Sequence, residues 1–261
     1  MKQTCLTIAG LDPSGGAGIV ADIKTFSAFG CFAAAAVTSI TFQNTTGVFG
    51  AVHQTAETVR KQIEPVLDDV EIAALKTGML PTREIIAEVA SIIQERKLRN
   101  IVVDPVVRST SGFDLIDNEA LNALIEKLFP LADLITPNIP EAERISGITI
   151  DSLETFDKAA EIMRLLGAEN VLIKGGHFVE KGRRGEEEKG RRKATDYLFI
   201  GNAKHVFEAD FIETKSTHGT GCTLSAAITA NLAVGNDLVE SVRAAKEFVT
   251  EAIRTARTFT N

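Results

Sequence analysis

The chain has 261 residues, 44% of them apolar, with a formal net charge of −7 and a sequence pI near 5.3. That is enough for one sizeable α/β domain over residues 1–261, and the acidic balance speaks against an electrostatic grip on nucleic acid or an anionic membrane and for small-molecule partners. The cysteines, Cys5, Cys31 and Cys222, have neither disulfide-framework nor zinc spacing, and no export signal or membrane-length apolar run is visible, so a cytoplasmic location is expected.

In chain order, β-prone segments over residues 6–9, 34–42, 101–103, 134–136 and 171–174 alternate with helical patterns, the first over 17–29. Such alternation predicts a mostly parallel sheet with helices on both faces. The clearest helix runs over 82–97, where Ile85, Ile86, Val89, Ile92 and Ile93 make one apolar stripe. In open parallel sheets ligands bind beyond the carboxyl ends of the strands, so the loops that follow the strands carry the chemistry.

The first such loop is Gly10-Leu11-Asp12-Pro13-Ser14-Gly15-Gly16-Ala17-Gly18, with Asp22 one helical turn on. Its glycines leave room for a ligand against the backbone. Gly16 to Ala21 formally matches a dinucleotide fingerprint, but it starts too far from the strand and has no acidic residue about 20 positions later to hold a ribose. Residues 43–52 are short, β-prone and punctuated by turns, and read as a small flap outside the main sheet. Gln43 at its base offers an amide edge suited to a heteroaromatic amine, and Met79, after Lys76-Thr77-Gly78, offers an adaptable apolar contact for a flat ring.

Asp104 ends the apolar 101–103 strand, where a carboxylate is well placed for a metal or phosphate. In Thr136-Pro137-Asn138-Ile139-Pro140-Glu141, Asn138 and Glu141 sit at a helix start; they read equally as oxygen ligands for Mg²⁺ and as a helix cap. Lys174-Gly175-Gly176-His177 sets a cation beside a glycine pair. From Glu180 to Lys193, eleven of fourteen residues are charged and three are glycine, which reads as a solvated, dispensable loop. Finally, Ser216-Thr217-His218-Gly219-Thr220-Gly221-Cys222-Thr223-Leu224-Ser225 joins a glycine-spaced loop to a long apolar helix. This is the outline of an anion site at a helix N-terminus, and a thiol in that first turn is expected to have a lowered pKa.

These runs, with Gln43-Asn44-Thr45 and Gly78-Met79, resemble in order the hydroxymethylpyrimidine/phosphomethylpyrimidine kinases of thiamine biosynthesis, in the ribokinase-like superfamily. The resemblance spans nearly the whole chain. It implies an αβα sandwich with a small β flap, a homodimer, and phosphorylation of 4-amino-5-hydroxymethyl-2-methylpyrimidine and then its monophosphate with ATP and Mg²⁺. By matching positions, it implies that Gly10, Asp22, Gln43, Met79 and Val106 line the pyrimidine pocket. Asp104, Asn138 and Glu141 would arrange magnesium, Lys174 and Thr217 would bind the nucleotide, and Gly219, Thr220 and Gly221 would form an anion hole. Cys222 stands where most ribokinase relatives carry an aspartate base. Pyridoxal and pyridoxine kinases of the same superfamily remain the alternative, since their substrates are also flat rings bearing a hydroxymethyl group.

Overall fold

A computed structural model describes residues 2–44, 46–107, 115–176, 178, 192–214 and 217–256. The charged 180–193 run lies almost wholly outside the described residues.

Nine strands form one sheet in the order β3-β2-β1-β4-β5-β6-β7-β8-β9. These are β1 (Thr4–Leu11), β2 (Phe32–Gln43), β3 (Val48–His53), β4 (Ala74–Thr77), β5 (Ile101–Val103), β6 (Leu134–Ile135), β7 (Asn170–Lys174), β8 (Lys193–Ile200) and β9 (Ala203–Asp210). The strands from β2 through β7 pair in parallel, whereas β3 pairs antiparallel at one edge and the β8–β9 hairpin antiparallel at the other. The chain runs from β1 to β2 on one side and returns to β4 on the other, so the strand order reverses between β1 and β4. That reversal opens a crevice at their carboxyl ends.

Helices α2 (Ala56–Asp69), α3 (Arg83–Arg96), α4 (Asn118–Ala123), α5 (Ile139–Ser146) and α6 (Leu153–Leu165) cover one face. The other carries α1 (Gly18–Ala28), α7 (Thr220–Ala233) and α8 (Leu238–Thr255). Strand side chains alternate between the two layers: Ile101 and Val103 pack toward the α3 layer, and Val102 toward α7 and α8. The result is the expected three-layer sandwich. All five residues of the α3 stripe are buried, and the Thr82 hydroxyl caps that helix by accepting from the Ile85 amide at 3.3 Å. Helix α7 is buried on most sides, and its alanines Ala226, Ala227 and Ala230 let it lie close against the sheet.

Two features differ from the sequence reading. The flap is not outside the sheet: β3 pairs antiparallel with the outer edge of β2 from Ser39↔His53 to Gln43↔Val48, and only Thr41 to Gln43 run past the end of β1, whose Leu11 pairs with Ile40. The β8–β9 hairpin, which extends the sheet beyond β7, has no counterpart among the predicted strands.

Candidate active site

A cavity of about 1090 Å³ opens over the carboxyl ends of the parallel strands. Gly10, Gln43, Met79 and Val106 line it at the β1–β4 end. Gly10 and Met79 touch, for a Cβ at Gly10 would stand 3.2 Å from the Met79 sulfur, so the missing side chain makes room for the thioether. Asp22, the fifth residue of the expected ring pocket, does not line the cavity. It is fully buried on α1, where it accepts from Thr7 Oγ1 at 2.6 Å and from Lys76 Nζ at 2.9 Å, and its Oδ1 has no hydrogen-bond partner.

Lys76 was not singled out from the sequence, although a lone lysine inside a buried strand requires a buried partner. Burial alone would push its pKa down, but the Asp22 carboxylate, with further negative potential from Cys222 and Asp104, holds it protonated well above the ordinary lysine value. A second pair, Lys246 Nζ to Asp196 Oδ2 at 2.7 Å, stands at the opposite end of the cavity, where Asp196 Oδ1 also accepts from the Gly175 amide.

Asp104 directly follows β5 and is almost wholly buried. It accepts from Lys174 Nζ at 2.8 Å, Thr136 Oγ1 at 3.0 Å and Ser225 Oγ at 3.2 Å. Asn138 and Glu141 form a reciprocal capping box at the start of α5: Asn138 Oδ1 accepts from the Glu141 amide at 2.9 Å, and Glu141 Oε2 from the Asn138 amide at 2.8 Å. The helix-cap reading of this pair is therefore realised, and it engages the Asn138 oxygen and one Glu141 oxygen. Burial, reinforced by Asp104, pushes Glu141 up to about 7 despite the nearby Lys174 cation and the Asn138 and Val107 amides. Lys174 is held protonated against the cost of burial, chiefly by Asp104 and Glu141.

Among the described residues no three His, Cys, Asp or Glu side chains cluster in a way that could hold a metal ion. Two buried carboxylates around one lysine do fit a hard cation that arrives with phosphate oxygens, because Mg²⁺ commonly takes one or two carboxylates and fills its shell with phosphate and water.

The anion loop faces this carboxylate end. Gly219 has φ +77°, and a Cβ there would overlap the Gly16 carbonyl, so only glycine is accommodated. No side chain caps α7: the Thr220 amide donates to the Thr217 carbonyl at 3.3 Å and the Thr223 amide to the Gly219 carbonyl at 2.9 Å, while Gly221 and Cys222 line the cavity at the positive end of the helix. A Cβ on Gly221 would lie 3.3 Å from Lys174 Nζ, which sets cation and amides side by side. Thr217 lines the cavity, and its carbonyl accepts from Thr220 Oγ1 at 3.0 Å.

Cys222 also lines the cavity, but its expected low pKa is not found. Burial pushes the thiol up to about 11; Lys76 and the Gly18 amide pull it down, while Asp22 and Asp104 push it further up. Desolvation outweighs the helix start, because the pull of the Lys76 cation is offset by the Asp22 carboxylate paired with it.

A family model described as phosphomethylpyrimidine kinase matches residues 12–261. The chain is 43% identical to the hydroxymethylpyrimidine/phosphomethylpyrimidine kinase of Haemophilus influenzae, over 97% of this chain and 91% of that protein. It is 44% identical to the thiamine biosynthesis bifunctional protein ThiED of Geobacter sulfurreducens over 98% of its own length, and spans half the length of that protein. Its fold superposes on an ADP complex of Bacillus subtilis pyridoxal kinase with a TM-score of 0.87 and 39% identity, covering all of this chain and 95% of that one. A match that takes in the anion loop, the carboxylate end and the β1–β4 crevice alike makes this chain a member of the phosphomethylpyrimidine kinase family.

Proposed function

We propose that this chain transfers a phosphoryl group from ATP to the hydroxymethyl group of 4-amino-5-hydroxymethyl-2-methylpyrimidine, and then to the monophosphate so formed. The observation that carries this reading is that one cavity joins a site for a flat ring, at Gly10, Gln43, Met79 and Val106, to an uncapped helix start flanked by Lys174. Asp104 and Glu141 would hold magnesium, with Asn138 fixing the Glu141 carboxylate through the capping box. Magnesium, when bound, neutralises charge on the phosphate oxygens. Lys174 and Thr217 would bind the nucleotide phosphates, and the Gly219, Thr220 and Gly221 backbone would meet the oxygens of the transferring group. At neutral pH Cys222 is a thiol and not a ready thiolate, so its part in removing the proton of the alcohol is a weak one.

Coupled measurement of ATP consumption with the pyrimidine alcohol, its monophosphate and pyridoxal tests the reading; no turnover of either pyrimidine would overturn it. The likeness to the Bacillus subtilis pyridoxal kinase gives a second reading, pyridoxal phosphorylation, which the third acceptor decides. Single-turnover rates of Cys222→Ala with both pyrimidines test the thiol. A loss confined to the alcohol makes it a base, whereas equal losses make it a positioning group.

The oligomer belongs to the same proposal. Ile40 lies opposite Val52 and Phe42 opposite Gly50, so Ile40, Phe42 and Val52 share one face of the β2–β3 edge, each between 42% and 54% exposed. A second copy seated on this face would make a homodimer. Sedimentation of Phe42→Asp as a dimer, like the unmodified chain, would exclude this face as the contact.

A further inference from the structure

The two glycine loops of the site are separated by some two hundred positions, yet they interlock at three points. A Cβ at Gly219 would overlap the Gly16 carbonyl, the Gly18 amide stands close enough to Cys222 to lower the thiol's pKa, and His218 Nε2 lies 2.8 Å from Asp12 Oδ2. Of these, only the last is charge-assisted, and it falls one residue before the left-handed Gly219.

Asp12 is built for that contact. It is 1% exposed, and its carboxylate also accepts from the Ser14 amide at 2.8 Å, Ser14 Oγ at 2.8 Å and the Ala17 amide at 2.9 Å. Burial by itself would raise its pKa, but the hydrogen bonds from His218, Ser14 and Ala17 hold it below the ordinary carboxylate value. Three of these four donors order the loop before α1, and the fourth fastens the anion loop to it. The imidazole edge carrying Nε2 and Cδ2 lies over Gly16, where a Cβ would stand 2.6 Å from Cδ2; a side chain there would push the ring off Asp12.

We propose that Asp12 and His218 form a positioning dyad: the buried carboxylate fixes the imidazole, and the imidazole fixes the Gly219–Gly221 backbone in the orientation that receives the transferring phosphoryl group. The dyad rests on the kinase reading above. His218 acts through the amides that follow it. Because those amides serve both acceptors, its loss lowers kcat for the alcohol and for the monophosphate alike and leaves the KM for either pyrimidine nearly unchanged. A displacement of about 1 Å at such a site costs up to about a hundredfold in rate, so a ten- to hundredfold loss is expected.

The test has one readout independent of turnover. Amide hydrogen exchange of the segment from Gly219 to Cys222 is followed by mass spectrometry in the whole chain without ligand, for the unmodified protein, His218→Ala, His218→Gln, Asp12→Asn and the double variant Asp12→Asn/His218→Ala. Exchange should quicken at least tenfold in His218→Ala and return to within about threefold of the unmodified value in His218→Gln, whose amide nitrogen still donates to Asp12. The double variant should be no worse than Asp12→Asn alone, as members of one unit are not additive. Unchanged exchange in His218→Ala, failure of His218→Gln to recover, or additive losses would each overturn the dyad. So would a raised KM for ATP with unaltered exchange, which would make His218 a direct nucleotide contact. Activity of the unmodified chain toward the pyrimidines decides the kinase reading separately.

Discussion

Replacing Lys76 by methionine should give a protein whose stability falls more steeply with rising pH than the unmodified chain's. Lys76 and Asp22 are both fully buried and 2.9 Å apart, and the Asp22 Oδ1 is already without a partner. Methionine fills a similar volume but removes the charge, leaving a carboxylate with one hydrogen bond, from Thr7. Breaking a buried pair from one side costs about 3–5 kcal/mol. The cost is capped by protonation: keeping neutral a carboxylate whose unfolded pKa is about 3.9 costs about 4 kcal/mol at pH 7 and about 1.5 kcal/mol at pH 5. In the unmodified chain burial already raises Asp22 against the pull of Lys76 and Thr7, and losing the lysine raises it further in the folded state. The neutral form is favourable below the unfolded pKa, and stability is lost as pH rises toward the folded one. With an m-value of about 3 kcal/mol/M for a chain of this size, the urea midpoint should fall below the unmodified chain's by about 1.3 M at pH 7 and about 0.5 M at pH 5. Adding Asp22→Asn should abolish that dependence. Equal midpoint differences at the two pH values, or a double variant that keeps the dependence, would refute the argument.

Gly219→Ala should lower turnover with both pyrimidines by about a hundredfold, because alanine at φ +77° is strained and its Cβ displaces the loop from Gly16; steady-state kinetics on a folded sample check this. Cys222, with its pKa pushed up to about 11, should resist iodoacetamide at pH 7.5, and its alkylation rate should rise about tenfold per pH unit toward that value, read by mass spectrometry of its peptide. Glu141→Gln should raise the magnesium concentration needed for half-maximal turnover at least tenfold while leaving pyrimidine affinity by calorimetry unchanged. Ser225→Ala removes one of three donors to Asp104 and should cost about 1 kcal/mol in urea unfolding, a buried carboxylate with two remaining partners being only partly exposed to the loss.

The parallel sheet was legible because strand-forming runs and amphipathic helices alternate, and α3 announced itself through five isoleucine and valine positions on one stripe. The site loops were legible because glycines punctuate strand ends. The partnerships were not: Lys76 meets Asp22 across 54 positions and His218 meets Asp12 across 206, and no local pattern encodes such a meeting. The Cys222 thiol misled for a related reason. Its place at a helix start is a local fact, whereas the burial that raises its pKa depends on the packing of α1, α7 and the sheet. At Asn138 and Glu141 the sequence allowed two roles, and the capping geometry shows one of them directly while keeping Glu141 at the cavity.

Helix α7 carries the amides of the anion loop, the Cys222 thiol and the Ser225 hydroxyl that reaches Asp104, and the same helix covers Cys5, Ala74 and Val102 on the middle of the sheet. During synthesis those strands leave the ribosome long before the segment that shields them. Until α7 docks, this sheet face is covered by α1 alone, and the growing chain has no phosphate site to offer a nucleotide. The docking of α7, on which α8 then packs, is thus also the step that gives the molecule its phosphate site.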